Sequence, residues 1–391
     1  MKILSSLLAC LAVAVLFCAT SFAQYLIVDD DNPSGNTATV YKIASNGTLN
    51  QFKILQTGGT GFGGGFFANV GATVSQNASC VFIEDAGSND IAAFSKATGF
   101  SKVGNFSNAV LNWNEVFGGS MSLTPDGHFL YAGYSGSENV GAWKVNPDCS
   151  LTFIAAYVPS NGPDTYGAVE VLPNGKGLLV TAIDLSSVTL FLINSTTGEL
   201  TEKNTIFWTG VGNCDTNGCF PTGIDITKDS KVAIFGNATL GSPAALTANI
   251  TPGGLTNPRV WATRTPLPVS NNNVPWLSPG AYSTGSGYIY FGMSGFENPS
   301  LIPGVVTAQF TEIPLNITVV NSIVINNPTQ FDGRIETVAK TDTGSELVVA
   351  EWFNTLETFK INTDGSLTSL HQTTDNQANG GLSFSVYPPS R

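Results

Sequence analysis

Apolar positions along the chain come in short runs separated by polar turns, and one such run recurs seven times. YLIVDD starts at Tyr25, CVFIED at Cys80, FLYAGY at Phe129 and LLVTAI at Leu178; VAIFGN at Val232, YIYFGM at Tyr288 and LVVAEW at Leu347 complete the series. The runs are rich in β-branched and aromatic residues and return about every 50 to 60 residues, the length of one four-stranded propeller blade. Ahead of most runs lies another strand closed by a turn, as in SLTPDGH from Ser122, EVLPNGK from Glu170 and DITKDSK from Asp225. Behind them comes a further strand, a turn and a Leu-Thr-like exit, as in VGAWKVNPDCSLTFI from Val140 and LETFKINTDGSLTSL from Leu356. Asp, Asn and Gly in these turns supply the tight or left-handed backbone that hairpins need. No window keeps the 3.6-residue apolar spacing of a helix over a useful length.

The pattern predicts an all-β chain: a seven-bladed β-propeller of four-stranded antiparallel blades. Units five and six are looser. GSPAALTANITPGGLT from Gly241 and IPGVVTAQFTEIPLNIT from Ile302 carry prolines, which predicts edge strands or bulges there. The chain opens on the second strand of a blade at Tyr25 and closes on GGLSFSVYPPS from Gly380, which has the character of an innermost strand. The two ends are therefore expected to share one blade and leave the ring no free edge. Residues 24–391 make one domain.

The first 23 residues differ from the rest. Lys2 is followed by an almost wholly apolar run from Ile3 to Ala19, and Ser21-Phe22-Ala23 is a small-x-small cleavage site. The run is short for a membrane span and no basic stop-transfer cluster follows it, so residues 1–23 are expected to be a signal peptide. The mature protein is then exported, periplasmic or extracellular, with no membrane span. The excess of acidic over basic residues, a net charge of -12, disfavours nucleic acid and anionic membrane surfaces as partners. Of the six cysteines, Cys10 and Cys18 leave with the leader. Cys214 and Cys219 bracket CDTNGC, and an oxidising compartment makes them a disulfide pair. Spacing alone leaves Cys80 and Cys149 open.

The stretch SLTPDGHFLYAGYSGSENVGAWKVNPDCSLT, from Ser122 to Thr152, carries a Pro-Asp-Gly turn, an apolar strand and an Asp-Cys-Ser-Leu-Thr exit, and the stretch from Glu346 to Thr368 carries an apolar strand and an Asp-Gly-Ser-Leu-Thr exit. On these residues the chain resembles the lactonase-like seven-bladed propellers, the group that includes 6-phosphogluconolactonase and carboxymuconate cyclase. The resemblance implies the fold specifically and the function only loosely, because the repeat encodes blade packing. Members with lactone chemistry are expected to carry His, Arg and Glu around the central opening. Here the histidines are His128, in a turn on the face opposite the usual ligand side, and His371, in an outer strand. Arg259, Arg264, Arg334 and Arg391 are the only arginines, too few for a phosphorylated sugar site, which argues against phosphogluconolactonase activity itself.

Aligning the seven innermost strands on their closing turns puts Thr73, Ser122, Glu170, Asp225, Ala281, Ala339 and Ser385 at one position. Glu170 and Asp225 are the exceptions among small residues, in neighbouring blades at one height. Two carboxylates in a confined channel call for a shared cation such as Ca²⁺, or form a general acid and base pair. The plainer reading is that each accepts backbone N–H groups or water. No cofactor is otherwise required. Asp332, Arg334 and Glu336, at alternate positions where the sixth innermost strand begins, form a second candidate: Arg334 to steady a carboxylate or an oxyanion and Glu336 as base, or an ordinary surface ion pair.

The upper face offers a third feature. Its loops carry Trp113, Tyr166, Phe220, Trp276 and Glu351, with more acids at Asp29, Asp30, Asp31, Glu84 and Asp85. Aromatic faces with fixed polar neighbours suit a small carbohydrate-like molecule or an extracellular peptide or protein; alternatively the aromatics fill gaps between blades and the acids solvate a rim. GGTGFGGG from Gly58 opens no helix and is no phosphate loop. The leading expectation is a binding or interaction module with its ligand on the upper face. The alternative is a hydrolase or isomerase of lactones or sugar acids that uses the channel carboxylates.

Overall fold

The structure is a computed structural model. It describes residues 24–63, 71–75, 79–113, 120–162, 164, 166–212, 214, 218–237, 244–262, 276–283, 287–294, 304–324, 335–340, 346–351, 354–378 and 383–387. The leader, residues 1–23, lies outside them.

Seven antiparallel four-stranded blades form a ring. Blade one pairs Ser383–Tyr387, from the chain's end, with Gln24–Asp29 and continues through Thr37–Ile43 to Leu49–Gln56. The innermost strands of blades two to seven are Ala72–Val74, Ser120–Leu123, Tyr166–Val171, Pro221–Ile226, Trp276–Ser283 and Ile335–Lys340. Each lies against the next around the ring, and that of blade seven lies against Ser383–Tyr387. The predicted closure is therefore present, with no innermost edge left open. Blades five and six are bridged where Asn237, the last residue of blade five's second strand, pairs with Leu277 of blade six's innermost strand, so eight strands form one sheet there. No α-helix occurs among the described residues.

The recurring apolar run is the second strand of each blade. Neighbouring blades cover both of its faces, so it reads as a continuous hydrophobic stretch; Cys80–Asp85, Phe129–Tyr134, Gly177–Ala182 and Val232–Asn237 are buried at every position. Cores form between blades rather than within them. Phe82 and Ile91 of blade two pack with Leu130 and Trp143 of blade three, and Leu179 and Leu190 of blade four with Ala233 and Phe235 of blade five. The outermost strands, such as Leu200–Phe207, alternate between covered and exposed positions.

One repeated feature is absent from the sequence pattern. In all seven blades the pairing of the third with the outermost strand slips, between Val40 and Tyr41, Ala93 and Phe94, Ala142 and Trp143, Leu190 and Phe191, Thr247 and Asn249, Thr307 and Ala308, and Thr358 and Phe359. Extra residues on the outermost strand bend it and raise its twist, as a propeller's rim requires. The prolines of units five and six divide between turns and the expected bulges: Pro258 sits where the outermost strand of blade five slips, and Pro279 where the innermost strand of blade six does. Pro252 lies in the hairpin between Ala244–Thr251 and Gly254–Ala262, and Pro314 in the hairpin between Gly304–Glu312 and Leu315–Val324. Both are turn residues, where a missing N–H leaves no ladder bond unmade.

Both disulfides are formed. Cys214–Cys219 closes its short loop as expected, and Cys80–Cys149 links the second strand of blade two to a turn of blade three.

Candidate functional site

The innermost strands of blades four and five touch. Glu170 stands opposite Leu179 and Asp225 opposite Ile234, each at the third residue of the neighbouring buried strand. Thr73, Ser122, Ala339 and Ser385 hold that station in their own blades, opposite Phe82, Tyr131, Val348 and Ile27. Ala281 does not. It pairs with Phe291, and Tyr282 takes the station opposite Tyr290, because this hairpin is out of step by one residue.

Glu170 and Asp225 are half-buried, so water reaches them. Protein nevertheless crowds Asp225, and its carboxyl is pushed up to about 8, first by desolvation and then by the charge of Glu170. The backbone N–H of Ile226, which donates to Asp225 Oδ1 at 2.8 Å, opposes that rise without cancelling it. Asp225 therefore holds its proton more tightly than an ordinary carboxyl, on a strand that touches that of Glu170. Among the described residues no three His, Cys, Asp or Glu side chains gather as a metal cage. A Ca²⁺ ion between Glu170 and Asp225 would need backbone or water oxygens for its remaining ligands.

The histidines stay out of the channel. His128 lies in the turn leading to Phe129–Tyr134, with Nδ1 3.2 Å from Asp126 Oδ2, and both side chains are largely exposed. His371 belongs to the outermost strand of blade seven. Beside His128, on the same side as the turns, a cleft of about 500 Å³ is lined by Ser75, Ser79, Asp126, Lys144 and Asn146.

The second candidate is partly visible. Glu336 sits in Ile335–Lys340 where the pairing skips from Ile335–Glu351 to Thr337–Ala350, so it is an unpaired bulge residue. Glu351 is the backbone neighbour of that bulge. Asp332 and Arg334 lie outside the described residues, as do the side chains of Glu336 and Glu351. On the upper face, Tyr166 and Trp276 begin the innermost strands of blades four and six, opposite Ala182 and Ser294, and their side chains also lie outside the described set. Phe220 is half-buried just before Pro221–Ile226, and its N–H donates to Asn237 Oδ1 at 2.9 Å.

Trp113 requires a correction. It is fully buried, stacks on Tyr134 with centroids 4.1 Å apart, and donates from Nε1 to the Gly133 carbonyl at 2.7 Å. Its ring fills space between blades two and three, and no ligand on the upper face can reach it.

The acids at the ends of the first two buried strands also depart from expectation, because they solvate no rim. Asp29, Asp30, Asp31, Glu84 and Asp85 are all buried. Asn36 joins four of the surrounding groups: its amide donates to Asp29 Oδ1 at 2.9 Å, Asp85 Oδ1 at 2.9 Å and the Glu84 carbonyl at 3.0 Å, and its Oδ1 accepts from the N–H of Thr37 at 2.9 Å. The Asp31 carboxylate accepts from the N–H groups of Phe62 and Gly63, which ties down the following loop. Desolvation raises Asp29 well above the usual carboxylate range, and the charges of Asp31, Glu84 and Asp85 add to it. Asp85 is pushed up to about 7, again mainly by burial. Asp30 is raised by burial and by Asp375 across the seam with blade seven, where the Tyr41 hydroxyl donates to Asp375 Oδ2 at 2.8 Å. Sequence reasoning missed Asn36 and Asp375, because their partners are blades apart.

No protein-family profile matches the chain. No curated protein matches it either. Solved structures do. A candidate 6-phosphogluconolactonase from Bacteroides fragilis superposes with a TM-score of 0.65 at 16% identity, over 94% of this chain and 99% of that one. The periplasmic gluconolactonase of Pseudomonas aeruginosa gives 0.66 at 13%, over 93% and 99%, and a protein from Lactobacillus plantarum gives 0.66 at 14%, over 92% and 99%. At such identities the likeness is one of fold: this chain has the architecture of the lactonase-like seven-bladed propellers.

Proposed function

We propose that the protein is an exported hydrolase of unphosphorylated lactones, working in the central channel with Glu170 as general base and Asp225 as general acid. The observation that carries this reading is the Asp225 carboxyl held at about 8 by burial and by the charge of Glu170. A carboxyl that keeps its proton at neutral pH, next to a second carboxyl, suits acid–base hydrolysis. Glu170 takes a proton from water while that water's oxygen bonds to the lactone carbonyl carbon. Asp225 gives its proton to the ring oxygen as the bond between that oxygen and the carbonyl carbon breaks. The product is an open-chain hydroxy acid, and proton exchange with channel water resets both carboxyls.

Several observations support the details. The channel station holds two acids and no cation, which repels a phosphorylated substrate. The two disulfides suit an oxidising compartment, and the similar Pseudomonas aeruginosa protein is a periplasmic gluconolactonase. The upper-face binding reading has lost Trp113 to the core.

The test is hydrolysis of a panel of sugar and aromatic lactones by wild type, Glu170→Gln and Asp225→Asn. Turnover in wild type and its loss in both variants is the expected result. No turnover above spontaneous hydrolysis across the panel would overturn the proposal and return attention to the upper face as a binding surface.

A further inference from the structure

Away from the channel, the turn-side corner between blades one and two carries an aromatic cluster edged by lysines. Tyr25 is its centre. Its ring centroid lies 5.5 Å from that of Phe52 and 6.0 Å from that of Phe100. Lys42 Nζ stands 4.2 Å from the Phe52 centroid and Lys96 Nζ 5.7 Å from that of Tyr25, both in cation–π range. Lys53 Nζ donates to the Gly99 carbonyl at 2.6 Å, which fixes the Phe100 turn of blade two against blade one.

Three features set this corner apart. Phe52 is the extra residue of blade one's rim bulge, since Val40 pairs with Lys53 and Tyr41 with Gln51. Bulges re-aim side chains, and this one leaves Phe52 46% exposed; Val320, the extra residue of blade six, is exposed to a similar degree, but only here is the extra residue aromatic. Phe100 reaches the cluster from a backbone with φ of +61°, sparsely populated for a residue with a bulky side chain. The charge is also local. Residues 37–56 and 91–106 contain Lys42, Lys53, Lys96 and Lys102 and no carboxylate, in a chain whose net charge is -12.

We infer that this corner is a docking surface for an acidic polysaccharide built from uronate units. A pyranose ring presents an apolar C–H face that packs on an exposed aromatic ring, and its carboxylate finds an ammonium beside that ring. Tyr25 packs partly buried against the core beneath, so Phe52 supplies the exposed ring, with Lys42 over Phe52 and Lys96 over Tyr25. Lys42 and Lys96, the two ammonium groups over the aromatic rings, are fewer than the four to eight basic residues that usually hold a protein to an anionic bilayer. A nucleic acid's charge density is met by longer basic stripes than this chain possesses. The inference does not depend on the channel chemistry, because none of these residues belongs to the innermost strands.

The experiment is affinity electrophoresis of the purified protein in gels containing de-esterified polygalacturonate or uncharged dextran. Flotation with phosphatidylglycerol vesicles runs alongside. Expected is retardation by polygalacturonate, absent with dextran, weakened about tenfold in both Phe52→Ala and a Lys42→Gln/Lys96→Gln double variant. Lys144→Gln, on the far side of blade two, should bind as wild type. Thermal melts establish that each variant folds, and the lysine variant, with two surface changes, serves if Phe52→Ala does not. No retardation, equal retardation of wild type and variants, or binding to vesicles without polygalacturonate would each overturn the inference, the last in favour of a lipid surface.

Discussion

Asp29, Asp30 and Asp85 at one place in this ring, and Asp225 at another, have raised proton affinities, and the two places differ. The acids of blades one and two are buried and bridged by Asn36, which holds two second strands together through Asp29 and Asp85. Glu170 and Asp225 are half-buried on touching innermost strands, where the Ile226 N–H donates to Asp225 Oδ1. Desolvation lifts the proton affinity in both places. A raised carboxyl is thus no sign of catalysis by itself; what matters is whether water and a substrate can reach it. The first group is a structural joint, and the second is the pair proposed for proton transfer.

The sharpest way to break this comparison is by substitution in the channel. Glu170→Gln or Asp225→Asn should lower lactone turnover about 10²- to 10⁴-fold, while the melting temperature holds or rises slightly as repulsion is relieved. Turnover measured beside a thermal melt separates the two effects.

The joint should instead answer to pH through stability. Asp85 binds a proton more tightly folded, at about 7, than unfolded, near 3.8. Its contribution is fully present below about pH 4, declines as pH rises, and is gone above about 7. The full swing is about 4 kcal/mol at the outside. Denaturant melts at pH 5 and pH 8 should show greater stability at the lower pH, and Asp85→Asn should flatten the difference.

Asn36→Ala removes the bridge and should destabilise by about 2–3 kcal/mol without altering kcat. A change in kcat with little change in stability would place the joint in the active machinery. The smallest effect is expected at Trp113→Phe, which loses the bond to Gly133 and part of the stack on Tyr134. About 1–2 kcal/mol of stability should go, with ligand affinity untouched.

The sequence carried the ring because blade packing is written locally: a fully buried second strand must be apolar throughout, and each hairpin needs its own turn residues. Closure was legible for the same reason, in the innermost character of the last strand. Turn alignment also brought Glu170 and Asp225 together, since the hairpins of blades four and five have the same length. It failed at Ala281, where the hairpin is out of step by one residue and the station passes to Tyr282. The acids after the first two buried strands looked like a solvated rim, because burial there depends on Asn36 and on neighbouring blades, and neither leaves a local trace. Trp113 was misplaced for the same reason: an aromatic in a polar loop reads alike whether it faces solvent or a neighbouring blade. Cys80 and Cys149, 69 residues apart, could be paired only by the fold.

The pH dependence of kcat/KM for lactone hydrolysis, corrected for the spontaneous reaction, tests the central claim most directly. Wild type should lose activity as pH rises through about 8, where Asp225 gives up its proton, and the Asp225→Asn enzyme's residual activity should lack that limb. A wild-type profile with no fall near 8, or one that Asp225→Asn leaves unchanged, would contradict the assignment of Asp225 as the acid.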